Sequence, residues 1–305
     1  MISFIMMAKN VGNYIKDAIA SLQKVGKVEW ELIVIDDHSE DNTFEIAKSI
    51  AERDKRIRVY KNKYKGKVMG TNYGYSLSKG DIIKCIDSDD VLLPDFFDFI
   101  PEMENYDAHC HSAFVTDESL NKKYIYNVNP LILNKDYRFV LENLVSLPKW
   151  SWSFKREVAD KIFPMPETIP FEDVWISLSV KKNAERILFI DKPVYLYRQH
   201  KNQTFGGIVN FKKDVVIFRA NRLLKLIDVL KKEGRILGDL PPEILKKAEI
   251  YNTLMAKDKL SLYEVLQSDL GLSLKAKIVL IKKFPFLAKN MAVLKWKIDK
   301  LIARR

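Results

Sequence analysis

Runs of β-branched residues that end abruptly in carboxylates constrain this chain more than any other feature. Residues Glu31 to Ile35 (ELIVI) lead into Asp36 and Asp37, and residues Asp81 to Ile86 lead into Asp87, Asp89 and Asp90. Around these runs, strand-like and helix-like patterns alternate. Met1 to Met7 reads as a buried strand, and Ile15, Ala18, Ile19 and Leu22 recur at helical spacing. Asp41 or Asn42 is placed to cap a second helix that carries Phe44, Ile46, Ala47 and Ile50. Ile57 to Tyr60 is a third strand, and Gly70 to Leu77 a third helix. Such alternation predicts an α/β fold with a mostly parallel sheet covered by helices on both faces.

The pattern loosens after Pro94. Phe96 to Met103 reads as a short helix, Ala108 to Thr116 and Lys123 to Val128 as strands, and Asp136 to Val145 as a helix. The Trp-rich stretch from Lys149 to Phe154 fits neither period. A helix over Phe171 to Asn183 and a strand over Ile187 to Leu196 follow. Beyond Gly206 every candidate element is helical, broken at Gly234, Gly238, Pro241, Pro242, Gly271 and Pro285.

Charge divides the chain at the same place. Residues 1–206 carry 29 basic and 30 acidic side chains, a balance of −1, whereas residues 207–305 hold the other 22 basic and 10 acidic ones, a balance of +12. The expected organisation is a catalytic body over residues 1–206 and a basic helical region over 207–305. The two cysteines, Cys85 and Cys110, are too few for a disulfide framework, which points to a reducing, cytoplasmic setting. No apolar run is long enough to span a bilayer, so any membrane contact is expected to be peripheral, at the inner face.

In an open parallel sheet, ligands bind beyond the carboxyl ends of the strands. Here those ends are acidic twice over. Asp87, Asp89 and Asp90 repel one another, and a divalent cation would relieve that repulsion. Oxygen ligands favour Mg²⁺ or Mn²⁺, ions that keep waters and bridge to substrate phosphates. Neither a GxxxxGK[ST] loop nor a GxGxxG fingerprint is present, so phosphates would be met through metal. A second acidic pair, Glu172 and Asp173, opens the helix after Pro170, where a carboxylate facing the leaving group would suit general-base duty. His109, Cys110 and His111 form an HxH pattern that reads as structural strand residues in preference to a transition-metal site.

Four segments, in one order, resemble the family 2 glycosyltransferases. These are SFIMMAKNVGNYIKDAIASLQ with ELIVIDDHSEDNT, then GKVMGTNYGYSLSKGDIIKCIDSDDVLLPD, then WSWSFKREVADKIFPMPETIPFEDVWISLSV, and finally ILFIDKPVYLYRQHKNQT. Together they span roughly residues 2 to 204. The resemblance implies the GT-A nucleotide-sugar-binding fold and an inverting, metal-dependent hexosyltransferase with a UDP-linked donor. Asp36, Asp37, Lys67, Asn72, Asp87 and Ser88 would bind the nucleotide. Asp89 would hold the metal, Mn²⁺ or Mg²⁺, together with His200. Asp173 matches the catalytic base and Glu172 its partner, and Trp150 and Trp152 are expected to stack on the acceptor sugar. Two departures stand out: Thr71 replaces an Arg common in the family, so that one expected cationic contact is either absent or supplied by Lys67, and Met6–Met7 replace a Pro-Thr pair.

Residues 275–305 contain ten basic side chains and one acid, Asp299, interleaved with Phe284, Phe286, Leu287, Met291, Leu294 and Trp296. That composition suits an anionic membrane surface, a packed helical appendage with a solvated lysine face, or nucleic acid. The leading expectation is transfer to a lipid-linked or surface glycan. An alternative keeps the chemistry but makes the acceptor a modified base in DNA, and a third makes the chain a glycosyltransferase-like binding module without catalysis.

Overall fold

The computed structural model describes residues 1–24, 28–128, 130–200 and 212–302; the boundary expected after Gly206 lies outside them. Eleven described strands form two sheets. Seven belong to the main sheet or feed it: β1 (Ile2–Ala8), β2 (Trp30–Asp36), β3 (Ile57–Lys61) and β4 (Ile82–Asp87) come first, separated by α1 (Ile15–Gln23), α2 (Thr43–Ala51) and α3 (Lys67–Leu77). After β5 (Val91–Leu92) come a 3₁₀ turn at Pro94–Phe99, α4 (Ile100–Met103), β6 (Ala108–His111), β7 (Ala113–Thr116) and β8 (Lys122–Tyr126). Then follow α5 (Pro130–Asn134), α6 (Tyr137–Asn143), a 3₁₀ turn at Lys149–Ser151, β9 (Trp152–Lys155), α7 (Arg156–Ile162), α8 (Glu172–Asn183), β10 (Ile187–Ile190) and β11 (Tyr195–Arg198).

The main sheet runs β10-β6-β9-β4-β1-β2-β3. Strands β3, β2, β1 and β4 are mutually parallel, β9 is antiparallel to both β4 and β6, and β10 is parallel to β6. β1 and β2 are buried along their whole length, as strands covered on both faces must be. Alternate residues sort onto two faces. Phe4, Met6, Leu32 and Val34 join a core that includes Ile15, Ile19 and Leu22 of α1 and Ala47 of α2. Met7, Ile33 and Ile35 face the other way and pack with Tyr73 and Leu77 of α3. There α3 lies close to the sheet: a Cβ on Gly70 would stand 2.3 Å from the Met7 Cε.

Two expected strands each prove to be two. Ala108 to Thr116 breaks at Ser112 into β6 and β7, and Ile187 to Leu196 breaks at residues 191–194 into β10 and β11. Each first half pairs in the main sheet, β10 with β6, and each second half in the smaller sheet, ordered β5-β11-β7-β8, where β11 lies parallel to β7. Pro193, which has no N–H for a ladder, coincides with the second break. The Trp-rich stretch becomes a 3₁₀ turn leading into β9.

Contacts divide the chain into two compact units: residues 1–140 with 145–202, and residues 141–144 with the described residues of 203–305. The second unit contains α9 (Lys213–Glu233), α10 (Lys246–Ala256), α11 (Leu262–Gln267), α12 (Leu272–Lys283) and α13 (Pro285–Ile302). Its core gathers Val216 and Ala220 of α9, Leu254 and Met255 of α10, Val265 of α11, Ile278 and Ile281 of α12, and Ala288 of α13. Among the described residues no helix is long and apolar enough to cross a membrane.

Candidate active site

Register brings the acidic strand ends together. Met7 of β1 pairs with Asp87 of β4, and Ala8 pairs with Asp36 of β2, so both carboxylates leave the sheet at the same edge. The loops after β1 and β2 are tied to each other there. Asn10 N–H donates to Ser39 Oγ at 3.0 Å, Glu40 N–H to Asn10 Oδ1 at 2.8 Å, and Gly12 N–H to Asp41 Oδ2 at 2.9 Å.

At the heart of this edge four charged groups alternate in sign. The Lys149 ammonium lies 3.4 Å from Asp87 Oδ1 and 3.5 Å from Glu172 Oε1; that of Lys67 lies 3.7 Å and 3.3 Å from the same two atoms. Lys149 is 3% exposed, whereas half of the Lys67 side chain meets solvent. Burial alone would raise the pKa of Asp87 and of Glu172, but the two ammonium groups outweigh it and hold both below the usual carboxylate range. In turn Lys67, against the cost of desolvation, is held well above its ordinary value by Asp87, Glu172 and Asp173.

Asp173 behaves differently from its neighbour. Burial and the adjacent Glu172 charge push it up to about 6, although Lys67 and the N–H of Lys149, which donates to Asp173 Oδ1 at 2.9 Å, oppose the shift. Two consecutive carboxylates at the start of α8 are thus driven apart, one firmly ionised and one poised near neutrality. Such a split marks acid–base groups in active sites.

Lys149 is held in place from behind. Lys84, wholly buried on β4, donates to the carbonyls of Trp150 at 2.8 Å and Trp152 at 3.4 Å, and lies 2.8 Å from His111 Nε2. Burial pushes Lys84 down to about 7. The two HxH histidines serve separate partners: His111 meets Lys84, and His109 Nε2 meets the Met103 carbonyl at 2.9 Å. Cys85 and Cys110 are buried, with their thiols pushed up to about 11 and 12, and are unreactive as nucleophiles.

Beyond Asp87 the acidic loop divides. Asp89 Oδ2 lies 2.9 Å from His200 Nε2, beneath the Tyr14 ring, whose centroid is 4.7 Å from that of His200. Asp90 turns inward instead, accepting the Arg198 N–H at 2.8 Å; burial and the charges of Asp89 and Asp87 raise it well above the usual range. The intervening Ser88 is buried. His200 Nε2 is engaged with Asp89 Oδ2, so an ion taking both as ligands would replace that contact; the other ring nitrogen, Nδ1, is buried without a partner, and no third His, Cys, Asp or Glu joins them among the described residues. A two-donor set of this kind fits a divalent ion that completes its shell with diphosphate oxygens and water.

At the β2 end, Asp37 Oδ1 accepts from Asn62 Nδ2 at 2.8 Å and from Gly66 N–H at 3.0 Å, and Lys9 stands 3.9 Å from its Oδ2. Gly66 has φ +94°, a conformation that favours glycine, and this aims its N–H at Asp37 at the start of α3. Asp36 accepts the Ser39 N–H at 3.2 Å through Oδ2, while its Oδ1 is buried without a partner.

Three sequence expectations need correction. Trp150 and Trp152 are 2% and 0% exposed: Trp150 stacks on Tyr195 with centroids 4.9 Å apart, and Trp152 donates from Nε1 to Ser177 Oγ at 3.2 Å. Neither presents a face to a sugar, because both fill the core behind the site. Asn72 spends its amide on one backbone: its Nδ2 donates to the Met165 carbonyl at 2.8 Å, and its Oδ1 accepts the Met165 N–H at 2.7 Å. It anchors the loop ahead of Glu172, with both ends of its amide engaged there. Sequence reasoning missed Lys149, whose one signal is a lone charge in the apolar run LVSLPKWSW.

A family described as glycosyl transferase family 2 matches residues 3–163. The chain belongs to that family. Among relatives, the transferase is 26% identical over 213 residues to EpsJ, an uncharacterised glycosyltransferase of Bacillus subtilis (strain 168); the match covers 66% of this chain and 62% of EpsJ. It is 24% identical over 235 residues to glycosyltransferase GlyG of Streptococcus pneumoniae serotype 4, covering 70% of this chain and 75% of GlyG. The chain therefore spans less than two thirds of EpsJ. Two solved structures share its GT-A fold. S. aureus TarS 1-349 in complex with UDP-GlcNAc superposes with a TM-score of 0.56 at 18% identity, covering 95% of this chain and 88% of that one. The mannosyltransferase PcManGT of Pyrobaculum calidifontis, in complex with GDP-Man and Mn²⁺, gives 0.58 at 16%, covering 99% and 85%. The family match ends before Glu172 and Asp173, whose roles rest on the geometry described above.

Proposed function

We propose that this family 2 transferase moves a hexose from a nucleoside diphosphate sugar, UDP-linked, to a hydroxyl of a lipid-linked or surface glycan, with inversion at the anomeric carbon. The observation that carries this reading is the divided carboxylate pair at the start of α8. Asp173, pushed up to about 6, takes the acceptor proton while Glu172, ionised between Lys67 and Lys149, does not compete for it. The acceptor oxygen then forms its bond to the anomeric carbon as the bond to the diphosphate breaks and the electron pair leaves with the phosphate. Lys67, half exposed beside Asp87, is the cation best placed to meet the departing diphosphate, and Asp36, Asp37, Asp87 and Ser88 line the nucleotide side. Mn²⁺ or Mg²⁺ held by Asp89 and His200 would neutralise charge on the leaving group. The nucleotide-sugar complexes of TarS and PcManGT support a donor of this class. Catalysis is assigned to residues 1–206, and the basic helical region 207–305 to the acceptor side.

The test pairs two variants. Asp173→Asn should keep donor-induced stabilisation while turnover falls by about 10²–10⁴-fold, the usual worth of a general base. Asp89→Asn should instead lose the Mn²⁺-dependent part of donor binding. Full turnover by Asp173→Asn would refute the assignment of the base.

A further inference from the structure

We infer that the α12–α13 corner and the outer face of α13 form a docking surface for an anionic lipid bilayer. Phe284 and Phe286 project at the corner, and Leu287, Met291 and Leu294 follow at i, i+4, i+7 spacing along α13; each of the five is half or more exposed. The adjoining side of the helix is spoken for, because Ala288, about a quarter turn from the stripe, packs with Ile278 and Ile281 in the core of this unit. The apolar stripe is therefore a second face, turned outward; Lys283 is exposed at the corner next to it, and Lys289 is exposed farther round the helix.

Charge decides the occupant. Over residues 275–305 ten basic side chains face one acid. Nucleic acid would satisfy the lysines but leave the phenylalanines and leucines in water. An apolar protein groove would cover the stripe but leave an excess of like charge uncompensated. An anionic bilayer meets both demands, since its acyl boundary takes the apolar side chains while its headgroups neutralise the cations. With no spanning helix among the described residues, contact through this surface is peripheral. The inference is independent of the transfer reaction, because lipid binding is read without donor or acceptor.

Truncation is a poor test, since residues 278, 281 and 288 belong to the core. Surface substitutions in the full chain avoid that loss. The chain should sediment with vesicles of phosphatidylcholine mixed with phosphatidylglycerol but not with phosphatidylcholine alone, and rising salt should release it. Two double variants, Phe284→Ser with Phe286→Ser and Lys283→Glu with Lys289→Glu, should each weaken partitioning by roughly tenfold or more. As a second readout, Phe286→Cys carries an environment-sensitive dye, the native cysteines being buried; its emission should shift to the blue on the mixed vesicles. Unchanged sedimentation of both double variants, or a dye that stays in water on vesicles, would overturn the inference. Binding to duplex DNA by a chain that ignores vesicles would overturn it too, in favour of nucleic acid.

Discussion

At the scale of single residues, the site rests on a division of labour between two adjacent carboxylates. Asp173 titrates near 6, so the rate should climb through that pH on the acid side of its profile. The same shift has a cost in stability. A carboxyl whose folded-state pKa is raised favours folding fully only below its unfolded value near 4, and that benefit is lost as the pH rises through about 6. Asp173→Asn should therefore raise the melting temperature at pH 8, by the equivalent of about 1–3 kcal/mol, and lose that advantage below about pH 4. Thermal denaturation at the two pH values checks the sign, and an equal effect at both would show that Asp173 is not held protonated by the fold. Lys149 offers the opposite case. Lys149→Met leaves Asp87 and Glu172 with only the half-exposed Lys67, and should cost about 2–4 kcal/mol by denaturant melt together with most of the turnover. Asp87, Glu172 and Asp173 were legible because carboxylates at strand ends and helix starts are conspicuous, whereas Lys149 was not, since its partners lie 62 and 23 positions away.

At the scale of elements, remote anchors hold the catalytic segments. The reciprocal bonds between Asn72 of α3 and the Met165 backbone fix the approach to α8 across 93 positions. Asn72→Ala should destabilise by about 1–3 kcal/mol, with a loss in kcat that exceeds any rise in donor KM, if the residue holds the loop and does not bind nucleotide. Steady-state kinetics separate the two roles, because a nucleotide ligand would raise KM first. The parallel strands β1, β2 and β4 were readable as nearly continuous buried runs, and the partly exposed β3 from its place in the strand–helix alternation. The divisions of β6 from β7 and of β10 from β11 were not read, although Asp191, Lys192 and Pro193 interrupt the second pair, because which sheet each half joins is decided by strand pairing.

Across the whole molecule, donor binding should register as stability. A ligand that binds only the folded state stabilises by about 2.7 kcal/mol at a hundredfold excess over Kd. A thermal-shift panel of nucleoside diphosphate sugars with and without Mn²⁺ should pick out one donor, with a larger shift when metal is present. No shift with any donor would count against the nucleotide-sugar site. The sequence alone determined the alternating α/β core, its acidic edge and the basic helical region, because periodicity and charge are local properties that survive without coordinates. Tertiary structure decided which side chains meet. It turned Trp150 and Trp152 inward, gave the amide of Asn72 to Met165, and drew Lys67 and Lys149 between Asp87 and Glu172, since burial and ion pairing depend on neighbours that only the folded chain brings within reach.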